Sequence, residues 1–308
     1  MSTASYVPPT KGTSTKDFKE TIAAAPRAKI LKDAFLRFRY ADGFSFARAM
    51  GFQVVLTVIP GMIFVVALTV RLGEGRMQSL LRESATTLAP GPASEIFLRA
   101  LEQGSSAGRA NLIAIVAGGL AALISGVGGM SQLQRGANRI YGMLGDRPTL
   151  RRYGLATALT LSAGLLLSSA FLLIVLGSNL VGGLQGDVAG VWAWARWPIG
   201  VTTLTLGLAG LFKVAPNRRQ PVFSWLTLGG GVAVVGWLLV SIALSLYLNA
   251  STAFGETYGP LAGFIGVMLW AMLSSVAIFY GLAVAAQVES ERAGITSPTS
   301  EASEEVST

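Results

Sequence analysis

Long apolar runs recur along this sequence, and they constrain its fold more than any other feature. A helix needs about 20 mainly apolar residues to cross a hydrocarbon core of roughly 30 Å. Segments of this kind form helices, because a lipid-embedded backbone must satisfy its own hydrogen bonds. The six predicted spans are 46–70, 111–130, 154–177, 198–214, 222–248 and 260–286. The sequence therefore predicts an all-α, polytopic membrane protein with six transmembrane helices.

Composition supports a lipid environment and excludes several kinds of chemistry. Of the 308 residues, 52% are hydrophobic and 13% are charged, whereas an average soluble domain carries about 25% charged residues. The chain contains no Cys and no His, which excludes thiol nucleophiles, Cys/His zinc sites and a Ser-His-Asp triad. We therefore expect no enzyme, no cofactor and no metal site.

Lys and Arg are unevenly distributed between the segments that connect the spans. Seventeen lie in the N-terminal region, the 131–153 loop and the 213–221 loop, against six in the alternate segments. The positive-inside rule then places the N-terminus in the cytoplasm, and six spans return the C-terminus there. Because these residues flank spans and form no compact patch, the net charge of +8 does not indicate nucleic-acid binding.

Composition also divides the chain outside the spans. Residues 1–26 are rich in Ser, Thr, Pro and Lys, which predicts a disordered cytoplasmic N-terminus. Residues 287–308 are rich in Ser, Thr and Glu, which predicts a disordered, solvated acidic tail. A single membrane domain, 27–286, lies between them. Its one long external segment, 71–110, has two apolar stripes separated by a Pro-Gly-Pro break, which indicates two short amphipathic helices.

Residues 27–45 are predicted to form an amphipathic helix with basic flanks. This helix either lies on the inner leaflet of the membrane or packs beneath the bundle. The residues predicted to share its apolar face are Ile30, Leu31, Ala34, Phe35 and Phe38.

Proline and glycine positions refine this topology. Pro198 and Pro260 are expected at the starts of helices, where the missing N–H has no partner to lose. Pro60 falls inside the first span and is expected to bend it. Gly229 to Gly231 and Ala233 are among the small residues that predict close helix packing.

Polar residues in or beside the spans are the candidate contacts for a substrate or for lipid headgroups. Arg48 either extends to the inner headgroups or faces inward and binds an anion. The turn "KVAPNRRQP" likewise either holds its arginines at headgroup level or contacts a ligand with them. The candidate residues, which together would line a cytoplasmic vestibule, are Arg48, Gln53, Gln132, Arg135, Asn138 and Arg218.

Four stretches carry a resemblance to a known family. They are "MGFQVVLTVIP", "RGANRIYG", "VAPNRR" leading to "GGG", and "YGPLAGFIGVMLWAMLSS". With them, the chain resembles the YihY/BrkB family of bacterial inner-membrane proteins over roughly residues 30–292. The residues that match the family's structural motifs are Pro60, Pro216, Asn217, Gly229, Tyr258 and Gly259. One departure is Gly281-Leu282-Ala283, where relatives commonly have Gly-Ala-Glu.

The resemblance implies a multi-pass protein of the bacterial cytoplasmic membrane. Relatives have been linked to virulence, suggested as transporters and labelled ribonucleases, and this sequence has no histidine or carboxylate cluster to support the ribonuclease label. Our leading hypothesis is a transporter or translocator of an anionic or amphiphilic, lipid-like substrate. The alternative is a non-transporting membrane scaffold for envelope proteins. A polar crevice would favour the first, and a stable protein partner would favour the second.

Overall fold

The structure, a computed structural model, describes residues 3–9, 14–24, 26–72, 112–182, 187–250, 261–295 and 297–300. Eight helices account for most of this part of the chain. They are α1 (Thr15–Ala24), α2 (Arg27–Tyr40), α3 (Gly43–Leu72), α4 (Leu112–Ile140), α5 (Thr149–Gly182), α6 (Asp187–Val214), α7 (Phe223–Ala250) and α8 (Ala262–Arg292). Two short strands, β1 (Thr3–Ala4) and β2 (Thr299–Ser300), form an antiparallel pair.

The contacts between the long helices α3 to α8 form a closed ring. Each packs against the next along the chain, and α8 returns to pack against α3. Helices α3, α5 and α7 begin, and α4, α6 and α8 end, at the same end of this bundle. Hydrogen bonds at this end join α2 to α4, α4 to α5, the loop after α4 to the residue after α6, and the loop after α6 to α8. We call this end the basic end, because most of the arginines and lysines counted above as cytoplasmic lie there.

The helices confirm the prediction of an all-α, polytopic membrane protein. Five helical stretches are long and apolar enough to cross a membrane. They are Gly43–Val65, Ile115–Ile140, Trp194–Val214, Phe223–Leu248 and Ala262–Arg292. The remaining predicted span, 154–177, falls within α5, whose side chains are described only as far as Leu166. The total of six spans therefore stays a prediction, as does the cytoplasmic location of the basic end.

Two span boundaries differ from those predicted. Helix α6 begins at Asp187, so Pro198 lies inside the helix and does not start it. Neighbouring helices can satisfy the carbonyl that a proline leaves free, which is why membrane helices tolerate this position. Helix α8 continues beyond residue 286 to Arg292, and all ten residues from 281 to 290 are buried. This part of the expected tail is therefore buried, not solvated.

The N-terminal region, predicted to be disordered, contains a helix docked on the basic end. Helix α1 begins with a capping box, because the backbone N–H of Asp17 donates to Ser14 Oγ at 3.2 Å and the Ser14 N–H donates to Asp17 Oδ2 at 2.8 Å. The Ser14 N–H is the largest cause of a lowered pKa at Asp17. Arg292 donates to Asp17 at 2.9 Å, which ties α1 to the end of α8.

Helix α2 packs against α8, which is the second of the two arrangements considered for it. Its buried stripe contains Ile30, Ala34 and Phe38, as predicted. Leu31 and Phe35 were expected on the same stripe, but they are 45% and 46% exposed. Their place is taken by Arg37, which is buried. The external segment predicted at 71–110 lies outside the described residues apart from its first two, which end α3.

Small residues bring α7 and α8 into backbone contact. A Cβ built on Gly281 would lie 2.4 Å from the Gly229 carbonyl oxygen and 2.9 Å from the Ala233 nitrogen. A Cβ on Gly229 would lie 2.5 Å from the Gly281 carbonyl oxygen. Both positions therefore require glycine, because neither backbone has room to yield without separating the helices.

Replacing Gly281 with Ala tests this contact. The added methyl group would force α7 and α8 apart, and we expect the free energy of unfolding to fall by about 1–3 kcal/mol. Thermal melting of the purified protein in detergent would show this as a lower Tm.

Gly210→Ala in α6 is the matched control, because nothing lies within 4 Å of a Cβ at that position. Alanine favours helix more than glycine does, so this variant should melt at the same or a higher temperature. An unchanged Tm for Gly281→Ala would contradict the close approach of the two backbones.

Candidate functional site

Arg37 is fully buried at the basic end and makes five hydrogen bonds. Its Nε donates to Gln287 Oε1 (3.0 Å), Nη1 to the carbonyls of Ser5 (2.8 Å) and Ile140 (3.2 Å), and Nη2 to the hydroxyls of Ser5 (3.1 Å) and Ser290 (3.0 Å). All five acceptors are neutral. One side chain thereby joins the N-terminal segment to the ends of α4 and α8. Burial lowers the pKa of Arg37 to about 10, so the guanidinium stays charged at neutral pH.

Arg218, on the loop between α6 and α7, forms a buried ion pair with Glu289 of α8. The two side chains are 3% and 0% exposed, and Arg218 Nη2 donates to Glu289 Oε1. Arg218 Nη1 also donates to the Val7 carbonyl at 2.9 Å. The sequence predicted Arg218 at headgroup level or in a vestibule, whereas the structure places it inside the protein.

The ring of Tyr141 packs against the guanidinium of this ion pair. The guanidinium carbon of Arg218 lies 4.5 Å from the centre of the Tyr141 ring, which is a cation–π contact. The ring is fully buried. Burial is the largest cause that raises the pKa of Tyr141, and the nearby Glu289 carboxylate adds to it. The hydroxyl therefore remains protonated over the physiological range.

A second network holds the end of α6. Arg147 donates through Nη1 to the carbonyl of Ala215 (2.6 Å) and through Nη2 to those of Pro216 (2.7 Å) and Val214 (3.1 Å). Val214 ends α6, so the guanidinium lies at the negative end of the helix dipole and stabilises it while also binding the first two carbonyls of the following loop. Burial lowers the pKa of Arg147. Gln134 of α4 accepts a further hydrogen bond from Nη1 at 3.2 Å.

Asn138 connects two of the stretches that carry the family resemblance. Its Oδ1 accepts from the backbone N–H of Asn217 at 2.8 Å, and its Nδ2 donates to Asp146 Oδ1 at 2.8 Å. Thus "RGANRIYG" and "VAPNRR" contact each other directly, through Asn138 with Asn217 and through Tyr141 with Arg218. Asn138 is buried, so its role in the structure is to hold a loop in place.

A half-open pocket of about 270 Å³ lies beside these networks, at the start of α3 and the end of α4. It is lined by Phe46, Arg135, Arg139 and Asp146. Asp146 Oδ2 lies 3.7 Å from Arg135 Nε and 3.8 Å from an Nη of Arg152. Arg139 is exposed. Two arginines and one carboxylate therefore line the pocket, and the carboxylate also pairs with Arg152, which leaves the pocket with a positive charge.

The other predicted contact residues do not join this pocket. Arg48 is exposed and donates to Ser45 Oγ at 3.2 Å. Gln53 is half-buried and faces the α4 backbone, since a Cβ on Gly128 would lie 2.9 Å from its amide oxygen. Gln132 is half-buried and takes no part in the networks above.

The residues matched above to the family's structural motifs lie partly inside and partly outside the described residues. Pro60 lies inside α3, where α4 approaches so closely that a Cβ on Gly118 would be 3.0 Å from the Pro60 carbonyl oxygen. Pro216 accepts from Arg147, and Gly229 contacts Gly281. Tyr258 and Gly259 lie outside the described residues. The bend expected at Pro60 stays a prediction.

Four residues on which the basic end depends were not predicted from the sequence: Arg37, Arg147, Gln134 and Glu289. One signal was present for Arg37, which lies seven residues after Ile30 and three after Ala34, and therefore on the buried face of α2. Within the described part of the chain, no three acidic side chains come together in a way that would hold a metal ion.

These features define a class: a polytopic helical membrane protein whose helix ends are joined, on one side, by buried arginines. The family model described as "Virulence factor BrkB" matches residues 34–305. The chain belongs to this family.

Curated relatives agree with this assignment. The ribonuclease-like protein YfkH of Bacillus subtilis (strain 168) is 26% identical over 260 residues, which cover 82% of this chain and 92% of the relative. The UPF0761 membrane protein Bpet3042 of Bordetella petrii is 33% identical over 112 residues, which cover 36% of this chain and 25% of the relative. No solved structure matches the chain.

Exchanging Arg218 for Gln tests the buried ion pair. The change removes the guanidinium that neutralises Glu289, and loss of one partner of a buried pair typically lowers stability by about 3–5 kcal/mol. We expect a clearly lower Tm in detergent. Arg219→Gln, at the exposed neighbouring position, is the control and should leave Tm unchanged.

The double variant Arg218→Gln/Glu289→Gln removes both charges together. It should be more stable than Arg218→Gln alone, because no uncompensated carboxylate remains. A double variant that melts below the single variant would show that the two groups do not neutralise each other.

Proposed function

We propose that this protein is a transporter or translocator of an anionic or amphiphilic, lipid-like substrate across the bacterial cytoplasmic membrane. One observation carries the proposal: the positively charged, half-open pocket between Phe46, Arg135, Arg139 and Asp146 at the basic end. The predicted topology puts this pocket on the cytoplasmic side, near the level of the lipid headgroups.

The charges of the pocket suit an anion with several oxygens. Arg135 and Arg139 lie one turn apart on α4, and like charges at this spacing repel each other. The Asp146 carboxylate lies 3.7 Å from the guanidinium of Arg135 and 3.8 Å from that of Arg152, so two arginines share one negative charge. A phosphate or carboxylate would neutralise the remaining charge and accept paired hydrogen bonds from a guanidinium.

The apolar wall of the pocket suits an amphiphile. Phe46 lies near the start of α3 and packs against Phe279 of α8, with ring centres 6.4 Å apart. An acyl chain attached to a headgroup in the pocket would meet this aromatic surface first. Arg48, two residues further along α3, is exposed and would provide a second contact for headgroups.

The proposed activity involves no covalent chemistry. The printed name of the Bacillus subtilis relative includes "ribonuclease-like", but the complete sequence of this chain lacks the histidines that commonly act as acid and base. We therefore do not propose a ribonuclease.

A membrane scaffold is the second candidate, and a different observation favours it. The Arg37, Arg147 and Arg218 networks join five separate segments at the basic end, and a rigid, closed end suits a protein that holds partners. If the protein is a scaffold, replacing the pocket arginines should leave its fold intact, and neither the natural protein nor the variants should show transport activity.

Translocation of fluorescently labelled phosphatidylglycerol in proteoliposomes separates these candidates. We expect the full-length protein to accelerate flipping over protein-free liposomes. Arg135→Gln and Arg139→Gln should each slow it at least about 10-fold, since a lost hydrogen bond to a charged group is worth about 1.5–3 kcal/mol. Arg48→Ala, measured in parallel, should slow it less.

Arg151→Gln is the matched control, because Arg151 is exposed at the start of α5 and does not line the pocket. It should leave the flipping rate unchanged. Absence of flipping above protein-free liposomes would remove the lipid version of the proposal. Labelled soluble anions would then be tested, and failure of those would leave the scaffold.

A further inference from the structure

We propose that the N-terminal segment Thr3–Pro9, which we call the strap, is a releasable latch that closes the basic end. The strap crosses the ends of α4 and α8 and covers Arg37 and Arg218. The inference does not depend on the proposed transport function, because it concerns only how this end of the protein opens.

The backbone of the strap binds two distant parts of the chain. Its strand β1 pairs with β2, with Ala4 opposite Thr299. The Ser5 N–H donates to the Pro298 carbonyl at 3.0 Å, and the Val7 N–H donates to the Tyr141 carbonyl at 3.1 Å. The strap therefore joins the loop after α4 to the segment after α8.

Two buried arginines hold the strap from beneath. Arg37 donates to both the carbonyl and the hydroxyl of Ser5. Arg218 donates to the carbonyls of Val7 (2.9 Å) and Pro8 (3.4 Å). A charged donor roughly doubles the strength of such bonds, so these four contacts are the main attachment of the strap.

Three side chains of the strap are buried, and none of them is large. Ala4 and Val7 pack in the apolar core and Ser5 binds Arg37, whereas Tyr6 is 55% exposed. The apolar attachment is thus limited to two small side chains, and the polar contacts can be exchanged for water.

Gly142 is shaped to fit the strap. Its φ is +68°, and a Cβ at this position would lie 2.6 Å from the Ser5 carbonyl oxygen and 2.6 Å from the Tyr6 nitrogen and Cα. A side chain here would collide with the strap backbone. The glycine therefore permits the strap to lie against the loop.

Release would leave the rest of the network intact. Without the strap, Arg37 keeps Gln287, the Ile140 carbonyl and Ser290, and Arg218 keeps Glu289. Helices α2, α3 and α8 also pack against each other directly. The closed and released forms therefore differ only in the strap, and release uncovers two guanidinium groups that are otherwise buried.

Cysteine labelling of the full-length protein tests the latch, and the natural sequence has no cysteine to interfere. Val7→Cys and Tyr6→Cys place single thiols on opposite sides of the strap. With a soluble maleimide, Tyr6→Cys should react rapidly and Val7→Cys at least about 10-fold more slowly. Equal rates would overturn the proposal, because the strap would then not be seated.

Release is then forced by Gly142→Ala in the Val7→Cys background. We expect the labelling rate to rise at least about 10-fold. Gly294→Ala is the matched control, since Gly294 also has a positive φ, +74°, but no atom within 4 Å of a Cβ. It carries the same backbone strain without the collision and should leave Val7→Cys protected.

A measurement of global stability distinguishes release of the strap from unfolding of the whole protein. Melting is followed by tryptophan fluorescence, and labelling is performed well below the transition of each variant. Faster labelling of Val7→Cys in folded Gly142→Ala protein supports the latch. Continued protection in that variant, or faster labelling only where the whole protein melts, overturns it.

Discussion

The basic end depends on one interaction, the ion pair between Arg218 and Glu289. Removing two charges from water is costly, and a buried pair is stable only when further hydrogen bonds complete it. Here the Tyr141 ring lies against the guanidinium and the Val7 carbonyl accepts from it. The pair therefore brings together the end of α4, the loop before α7 and the end of α8, and the N-terminal segment adds a further hydrogen bond to the guanidinium.

The membrane-spanning part of the bundle and the basic end are stabilised by different interactions. Within the membrane, lipid offers no hydrophobic drive for helices to associate, so close packing of small residues such as Gly229 and Gly281 takes that role. At the basic end, arginines on loops and short helices bind carbonyls and carboxylates of neighbouring segments. Arg147 on the carbonyls after α6 shows this most simply, because a single guanidinium completes a helix terminus and fixes the following loop.

The sequence predicted the membrane helices well, because a span is a local property of about 20 consecutive residues. It predicted the end of α8 poorly for the same reason. Their sequence neighbours predict that Gln287 and Glu289 are solvated, because the arginine that neutralises Glu289 lies 71 residues away. Nothing within the Ser/Thr/Glu-rich tail indicates that partner.

The candidate site shows a similar division. Arg135 and Asn138 lie three residues apart on α4, a local spacing, and both contact Asp146. The contact between Asn138 and Asn217 spans 79 residues and follows from no periodicity. Arg37 was missed although its spacing placed it on the buried stripe of α2, because a charged residue is normally assigned to the solvated face.

The pairing of β1 with β2 has a consequence for biogenesis. The hydroxyl of Ser5 and the carbonyl of Ser297 are 292 positions apart in the chain, so the ribosome delivers the first long before the second. Contacts between such distant residues form late, after the intervening helices have been inserted and packed. Closure of this end would then require synthesis through residue 300, and a nascent chain halted before Ser297 would carry helices α1 to α8 but present an unpaired, recognisable edge to proteases.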